Sequence, residues 1–303
     1  MKKATFIILL IVTVISELKA QSFYNFRRGR DIIATFGTGT SSYFGDLNNP
    51  GDVIDTKLNL NFGLQYYFTE RIAIRTEANY FRLSGDDAEA DSEGRTVRNL
   101  SFRSDNFELN VVGIVQAFSN GTRFYQRPAL NVYGFAGIGL LYFNPKTQVP
   151  DTDWNGAPLS DAGDYVALQP LQTEGVDYSR LAIVIPMGIG IKFKAGPFFN
   201  IGVEGGYRLT FTDYLDDVST TYLLHSTLSG DPLRQALADR RHELDGNLPP
   251  LGVEEGQIRG NSGDNDGYFI LNVKLEYYIP ANILSSSKSK YNRRKRSRRA
   301  RKR

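Results

Sequence analysis

The sequence predicts an all-β protein, an eight-stranded antiparallel transmembrane β-barrel with long extracellular loops. Two observations predict it: eight runs of residues have a β-like pattern, and the gaps between them are alternately long and short. Alternation of apolar and polar residues with a period of two indicates strands. Outer-membrane barrels join such strands by tight periplasmic turns and long outer loops. We therefore expect the outer membrane as the location, with both termini in the periplasm.

The N-terminal residues 1–20 resemble a secretory signal peptide. Lys2 and Lys3 precede an apolar stretch from Ala4 to Ile15, which is the order of charge and hydrophobicity that export signals have. The stretch is too short to span a bilayer as a helix, and we expect cleavage after Ala20. The predicted organisation is a signal peptide over 1–20, a barrel over 21–280 and a basic, disordered periplasmic tail over 281–303.

Six of the eight runs alternate clearly between apolar and polar residues. The first run, 31–41, and the fifth, 129–143, are rich in glycine and apolar on both faces, so the pattern does not indicate which of their faces points inward. Glycine within a strand often marks a bend or a close approach, which a narrow barrel requires. The alternating runs are Lys57–Phe68, Arg71–Tyr80, Phe107–Gln116, Ile183–Phe193, Phe199–Phe211 and Phe269–Ile279.

The gaps between the runs separate a barrel from a soluble β-sandwich. A sandwich also has alternating strands, but it gives no reason for gap lengths that alternate. With both termini in the periplasm, every long gap lies outside the cell and every shorter one lies inside. In order, the gaps are 42–54, 69–70, 83–101, 119–127, 144–180, 195–198 and 212–266.

The charges predicted to face the lumen are balanced, four basic and four acidic. Eight strands enclose a space that side chains just fill, and buried charges are costly unless they are paired. We therefore predict a buried ion network that fills the lumen, with a conducting pore or a proton relay as the alternatives. The predicted network consists of Arg75, Glu77, Glu108, Lys192, Glu204, Arg208, Lys274 and Glu276.

The composition gives little evidence for a catalytic site or a cofactor site. The chain has no cysteine, which excludes disulfides and thiolate sites, and its two histidines, His225 and His242, have no metal-ligand spacing. Ser226 adjoins His225, but adjacency does not create a catalytic triad, because the roles require geometry. We predict no enzyme activity, no catalytic residue, no metal and no cofactor, and two solvated loop histidines.

One acidic stretch, Asp264-Asn-Asp-Gly267, resembles part of a calcium loop. The EF-hand pattern fails, since Ser262 and Val273 stand where it requires acids. A turn before a strand is the favoured interpretation. An open calcium site that also uses Asp213, Asp216 and Asp217 remains the alternative.

The C-terminal tail is strongly basic. The net charge is +3, of which residues 288–303 contribute +11 and residues 1–20 contribute +2, so residues 21–287 sum to −10. After an export signal, such a tail does not indicate nucleic-acid binding; it suits an acidic periplasmic protein or anionic lipid headgroups, unless it is a solvated extension. The predicted partner-binding residues are Arg293, Arg294, Lys295, Arg296, Arg298, Arg299, Arg301, Lys302 and Arg303.

Four stretches together resemble a family of small outer-membrane barrels from Bacteroidota, related to the PorG-type component of type IX secretion and gliding. They are Phe23-Tyr-Asn-Phe-Arg-Arg-Gly-Arg30, Ser42-Tyr-Phe-Gly-Asp-Leu47, Thr212-Asp-Tyr-Leu-Asp-Asp-Val-Ser219 and Asn265-Asp-Gly-Tyr-Phe269. The resemblance implies a non-enzymatic anchor or scaffold for a periplasmic ring of the secretion machinery, held in outer-membrane lipid. The alternatives are an adhesin-like barrel that binds through its long outer loops, and a small channel.

Overall fold

Eight long antiparallel strands close into a barrel in the computed structural model, which describes residues 31–48, 57–121, 124–228, 230–244 and 256–280. The ring closes because the strand Ile32–Phe44 pairs with Gly267–Tyr278 and the strand Ile72–Asp86 pairs with Ser101–Gln116. Two short strands, Pro145–Gln148 and Tyr165–Ala167, extend the sheet beside Ser101–Gln116. In chain order the strands are β1 Ile32–Phe44, β2 Lys57–Tyr67, β3 Ile72–Asp86, β4 Ser101–Gln116, β5 Leu130–Tyr142, β6 Pro145–Gln148, β7 Tyr165–Ala167, β8 Leu181–Lys194, β9 Phe199–Thr210 and β10 Gly267–Tyr278.

The outer face of the barrel is apolar and the inner face is polar. Outward-facing Phe62, Ile138 and Ile189 are 58, 60 and 70% exposed, whereas inward-facing Arg75 and Glu108 are fully buried. This is the inverse of a soluble sandwich, whose apolar faces would be covered. The pattern is that of a strand set with lipid on one side and a charged lumen on the other, and it confirms the predicted transmembrane β-barrel.

The two glycine-rich strands acquire an inward face in the structure. On β1 that face carries Ile33 and Thr35, and on β5 it carries Tyr133 and Phe135. The Phe135 ring leaves no space opposite it: a Cβ added to either Gly188 or Gly206 would lie 2.7 Å from the ring edge. Glycine therefore admits an aromatic ring into a lumen too narrow for another side chain.

All long connections lie at one end of the barrel, here called the long-loop end, and the others lie at the short-turn end. The described parts of the long connections contain two short α-helices, α1 Glu93–Arg98 and α2 Pro232–Ala238. The sequence predicted no strand in 144–180, but β6 forms there because it pairs with the edge of β4 beyond the end of β5. No helix among the described residues is long and apolar enough to cross a membrane.

Candidate functional site: a charged lumen beneath a folded cap

All eight charged residues predicted for the lumen lie inside the barrel, and each is at most 5% exposed. The charged residues of the central cluster lie on three strands, β3, β9 and β10. Lys274 Nζ lies 2.6 Å from Glu77 Oε1 and 2.6 Å from Glu204 Oε1. Arg75 Nη2 lies 2.7 Å from Glu204 Oε2, which also accepts a hydrogen bond from the Tyr133 hydroxyl.

A second ion pair lies towards the long-loop end. Arg208 Nε is 3.6 Å from Glu108 Oε2, and this oxygen accepts a 2.5 Å hydrogen bond from the Tyr268 hydroxyl. The other oxygen of Glu108 accepts a hydrogen bond from Asn79 at 3.0 Å. Because one oxygen has a donor on the neighbouring β3 and the other has a donor on the distant β10, the carboxylate is fixed across the lumen.

A third pair lies towards the short-turn end, where Lys192 Nζ is 3.6 Å from Glu276 Oε2. Asn200 donates to the same oxygen at 2.7 Å. The eight charges are thus distributed over three levels along the barrel axis. Each level carries both signs, which reduces the cost of burying them.

The short-turn end is closed by Arg127, which is the last residue of the predicted gap 119–127. Its guanidinium donates to Asn200 Oδ1 at 2.6 Å and to four backbone carbonyls, including those of Gly196 and Phe199 at 2.8 Å. It also lies over the Tyr278 ring, 4.6 Å from the centroid. No local pattern marks this arginine, because its partners come from a later turn.

The long-loop end is covered by a folded cap, defined as the described residues of 45–48, 87–100, 143–180 and 211–266. Its apolar side chains pack on the upper inward residues of the barrel in one buried cluster. Leu47, Leu215 and Val218 of the cap are each at most 2% exposed. The long connections therefore form a core of their own on the barrel rim.

Three of the stretches that carry the family resemblance meet where the cap joins the barrel. Tyr43 Oη lies 2.7 Å from Asp216 Oδ2 and 2.7 Å from Asp266 Oδ1. Burial, with a further contribution from the neighbouring carboxyls, raises the pKa of both Asp216 and Asp266 well above the usual range. Gly45 is required beside them, because a Cβ there would lie 1.9 Å from both Tyr43 Oη and Asp266 Oδ1.

Two arginines, the partly buried Arg98 and the buried Arg259, connect the segments of the cap. Arg98 of α1 donates to both carboxylate oxygens of Asp87, at 2.6 and 2.9 Å, and to the carbonyl of Arg259 at 2.6 Å. Arg259 in turn donates to Glu174 Oε1 at 2.9 Å. Glu174 also accepts from the backbone nitrogens of Ser219 and Thr220. Segments far apart in the sequence are therefore held by charge-assisted hydrogen bonds.

The acidic residues of the proposed calcium site are brought only partly together. Asp216 and Asp266 share Tyr43, but Asp217 accepts from Thr173 at 2.5 Å and from Tyr178 at 2.6 Å. Among the described residues, no group of three or more histidines or carboxylates has a metal-binding arrangement. The hydrogen bonds of Asp266 to the start of the loop favour the turn interpretation.

The two histidines are partly buried around the single tryptophan of the chain, which differs from the solvated positions expected. The Trp154 ring centroid lies 5.8 Å from that of His225 and 5.0 Å from that of His242. Trp154 Nε1 donates to the Asp239 carbonyl at 3.0 Å. The tertiary structure thus gathers these rings from two different long loops.

Lumen, cap and apolar outer wall together define a transmembrane β-barrel of the outer-membrane type. No family model and no curated protein matches the chain. Among solved structures, it is similar to the attachment invasion locus protein Ail of Yersinia pestis, with 11% identity over 81% of this chain and 96% of that one and a TM-score of 0.36.

Two further structures show a similar degree of likeness. Neisserial surface protein A has 8% identity over 82% of this chain and 97% of that one, with a TM-score of 0.39. A major outer membrane protein of Thermus thermophilus has 12% identity over 81% of this chain and 98% of that one, with a TM-score of 0.40. The fold assignment rests on the strand pairing of the chain itself.

Proposed function

We propose that this protein is a non-enzymatic, non-conducting outer-membrane barrel that anchors a periplasmic envelope assembly. Its long-loop end faces the outside and both termini face the periplasm, as is usual for such barrels. The single observation that carries the proposal is the packed lumen. Ion pairs occupy three levels, and Arg127 and the cap cover the two ends. A barrel built in this way suits attachment better than transport.

The attachment surface that we propose is the basic tail, whose residues lie outside the described part of the chain. Eleven Lys and Arg residues within 288–303 suit an acidic protein surface, and arginine favours bidentate contacts with carboxylates. The resemblance to the PorG-type barrels supports a periplasmic ring of the type IX secretion and gliding machinery as the partner.

A second candidate function, adhesin-like binding at the cell surface, is favoured by the order of the cap. Arg98, Arg259 and Glu174 hold its segments through buried ion pairs and hydrogen bonds. A preorganised surface loses little conformational entropy when it binds a partner. This candidate places the binding surface on the cap instead of the tail.

One in-cell crosslinking experiment separates the two candidates. The intact chain is compared with a truncation after Pro280 and with Arg259→Met, which disturbs the cap. Outer-membrane insertion is first checked for all three by heat-modifiable gel mobility. Recovery of secretion-ring proteins that is lost only on truncation supports the anchor. Equal recovery of periplasmic partners by the truncated chain contradicts the tail as the tether. If the intact chain recovers no periplasmic partner and Arg259→Met loses binding at the cell surface, the adhesin-like candidate is supported.

A further inference from the structure

Two cations lie side by side on the outer wall near the long-loop end. Arg103 of β4 and Lys146 of β6 are paired in register, so both side chains point to the same face of the sheet. Arg103 has the same parity as Phe107 on β4, which is outward-facing and 50% exposed. The face that carries the two cations is therefore the continuation of the lipid-facing wall.

No carboxylate among the described residues lies within ion-pair distance of either cation, although Asp105 on the same strand interacts electrostatically with Arg103. The adjacent carboxylates have other partners, since Asp105 lies 2.7 Å from Arg82 and Glu243 lies 2.6 Å from Arg240. Among the described residues, neither Arg103 nor Lys146 forms an ion pair. Like charges directly opposite each other on paired strands are destabilising. Such a pair is explained if an anion lies between the two side chains.

The pair lines a cleft of about 650 Å³. The Arg103 guanidinium lies over the Tyr165 ring, 3.9 Å from its centroid, which fixes its plane. The buried Nε of Arg103 has no hydrogen-bond partner among the described residues. The described residues that line the cleft include two acids, Asp86 and Glu89, and four cations, Lys57, Arg103, Lys146 and Arg240, of which Arg240 is already paired with Glu243. The balance is positive, as recognition of an anion requires.

The height of the cleft identifies the source of that anion. Tyr80, Phe107 and Tyr142 are paired across β3, β4 and β5 and form the aromatic edge of the apolar belt. Arg103 lies four residues before Phe107 on β4, towards the long-loop end. At about 3.4 Å per residue and a strand tilt of about 40°, it is about 10 Å closer to that end than the aromatic edge. This is the level of lipid headgroups above the hydrocarbon core.

We propose that Arg103 and Lys146 bind the phosphate group of an outer-leaflet lipid headgroup that occupies this cleft. Arginine offers planar, paired donors to phosphate and lysine adds a point charge. The assignment to the outer leaflet depends on the orientation proposed above, whereas the phosphate chemistry depends only on the cleft.

The test is native mass spectrometry of the purified full-length protein with phosphorylated lipid A, dephosphorylated lipid A and phosphatidylglycerol. The double variant Arg103→Gln/Lys146→Gln should weaken binding of phosphorylated lipid A by at least about tenfold, since it removes two charge-assisted contacts. Dephosphorylated lipid A should bind the intact protein as weakly as phosphorylated lipid A binds the double variant. The exchange variant Arg103→Lys/Lys146→Arg, which keeps both charges, should retain most of the affinity.

The matched control is Arg71→Gln/Lys194→Gln, which removes two positive charges at the short-turn end. Equal loss of lipid A in the control and in the cleft variant would show non-specific electrostatics and overturn the proposal, as would unchanged binding in the cleft variant. If inorganic phosphate fully displaces lipid A from the cleft, the lipid headgroup is contradicted as the source of the bound phosphate. Cleft-dependent binding of phosphatidylglycerol without lipid A would overturn the proposed orientation but leave the phosphate site standing.

Discussion

The hydroxyl of Tyr43, at the end of β1, lies 2.7 Å from a carboxyl oxygen of Asp266, immediately before β10. The same hydroxyl is 2.7 Å from Asp216, although it carries one proton for two carboxyl groups. A proton retained on the carboxyl pair satisfies all three groups, which agrees with the raised pKa of both aspartates. The junction between cap and barrel is therefore sensitive to protonation.

The cap should lose stability as the pH rises. Burial raises the pKa of Asp213 from 3.8 to about 7 and that of Asp217 from 3.8 to about 6. A raised pKa means that the folded state binds the proton more tightly, so this contribution is complete below about pH 4 and is lost as the pH rises through about 6 to 7. Amide hydrogen exchange in 212–220, corrected for its intrinsic pH dependence, should show more protection at pH 5 than at pH 8. Asp213→Asn should reduce the difference, and equal protection at both pH values in the unmodified protein would contradict the prediction.

Arg259→Met should open the cap and leave the barrel intact. It leaves Glu174 buried without its cation, and breaking such a pair by removing one partner costs about 3–5 kcal/mol. Emission from Trp154, the single tryptophan, reports on the cap, and heat-modifiable mobility reports on the barrel. The control is Arg234→Met. Arg234 lies on α2, is partly buried and donates a 2.7 Å hydrogen bond to the Gln172 carbonyl, which carries no charge. An unchanged Trp154 spectrum in Arg259→Met would contradict the structural role of the ion pair.

Lys274→Met should destabilise the barrel itself. The change removes the cation 2.6 Å from both Glu77 and Glu204, and we expect a loss of about 3–5 kcal/mol in the free energy of unfolding. Denaturant unfolding in detergent, followed by gel mobility, measures it. Lys194→Met removes an exposed lysine at the end of β8 and should cost much less. Similar losses in both variants would mean that the lumen pairs contribute no more than surface charge.

Gly206→Ala should destabilise the barrel more than Gly134→Ala does. A Cβ on Gly206 would lie 2.7 Å from the Phe135 ring, whereas one on Gly134 would meet nothing closer than 3.8 Å. Overpacking of this kind costs about 1–3 kcal/mol. Thermal unfolding of the two variants in the same detergent provides the comparison, and equal midpoints would show that the Phe135 ring moves without cost.

The alternating pattern of the sequence determined the barrel strands and the lumen charges. Period-two alternation is local: Glu204 and Arg208 fall on the inward face of β9 because they alternate with Val203 and Leu209. The same parity predicted the inward position of Lys192 and Glu276. It could not assign β1 or β5, because glycine carries no side chain to reveal a face.

The tertiary structure alone decided the cap and the closure of the two ends. Arg98 and the carbonyl of Arg259 are 161 residues apart in the sequence and 2.6 Å apart in space. Contacts between loops follow no period in the sequence, so residue spacing cannot predict them. Arg127 likewise acquires its role from carbonyls near residues 196–199. Strand periodicity depends only on residues that are close in the sequence. A folded cap depends on which distant segments the closed barrel brings to the same rim.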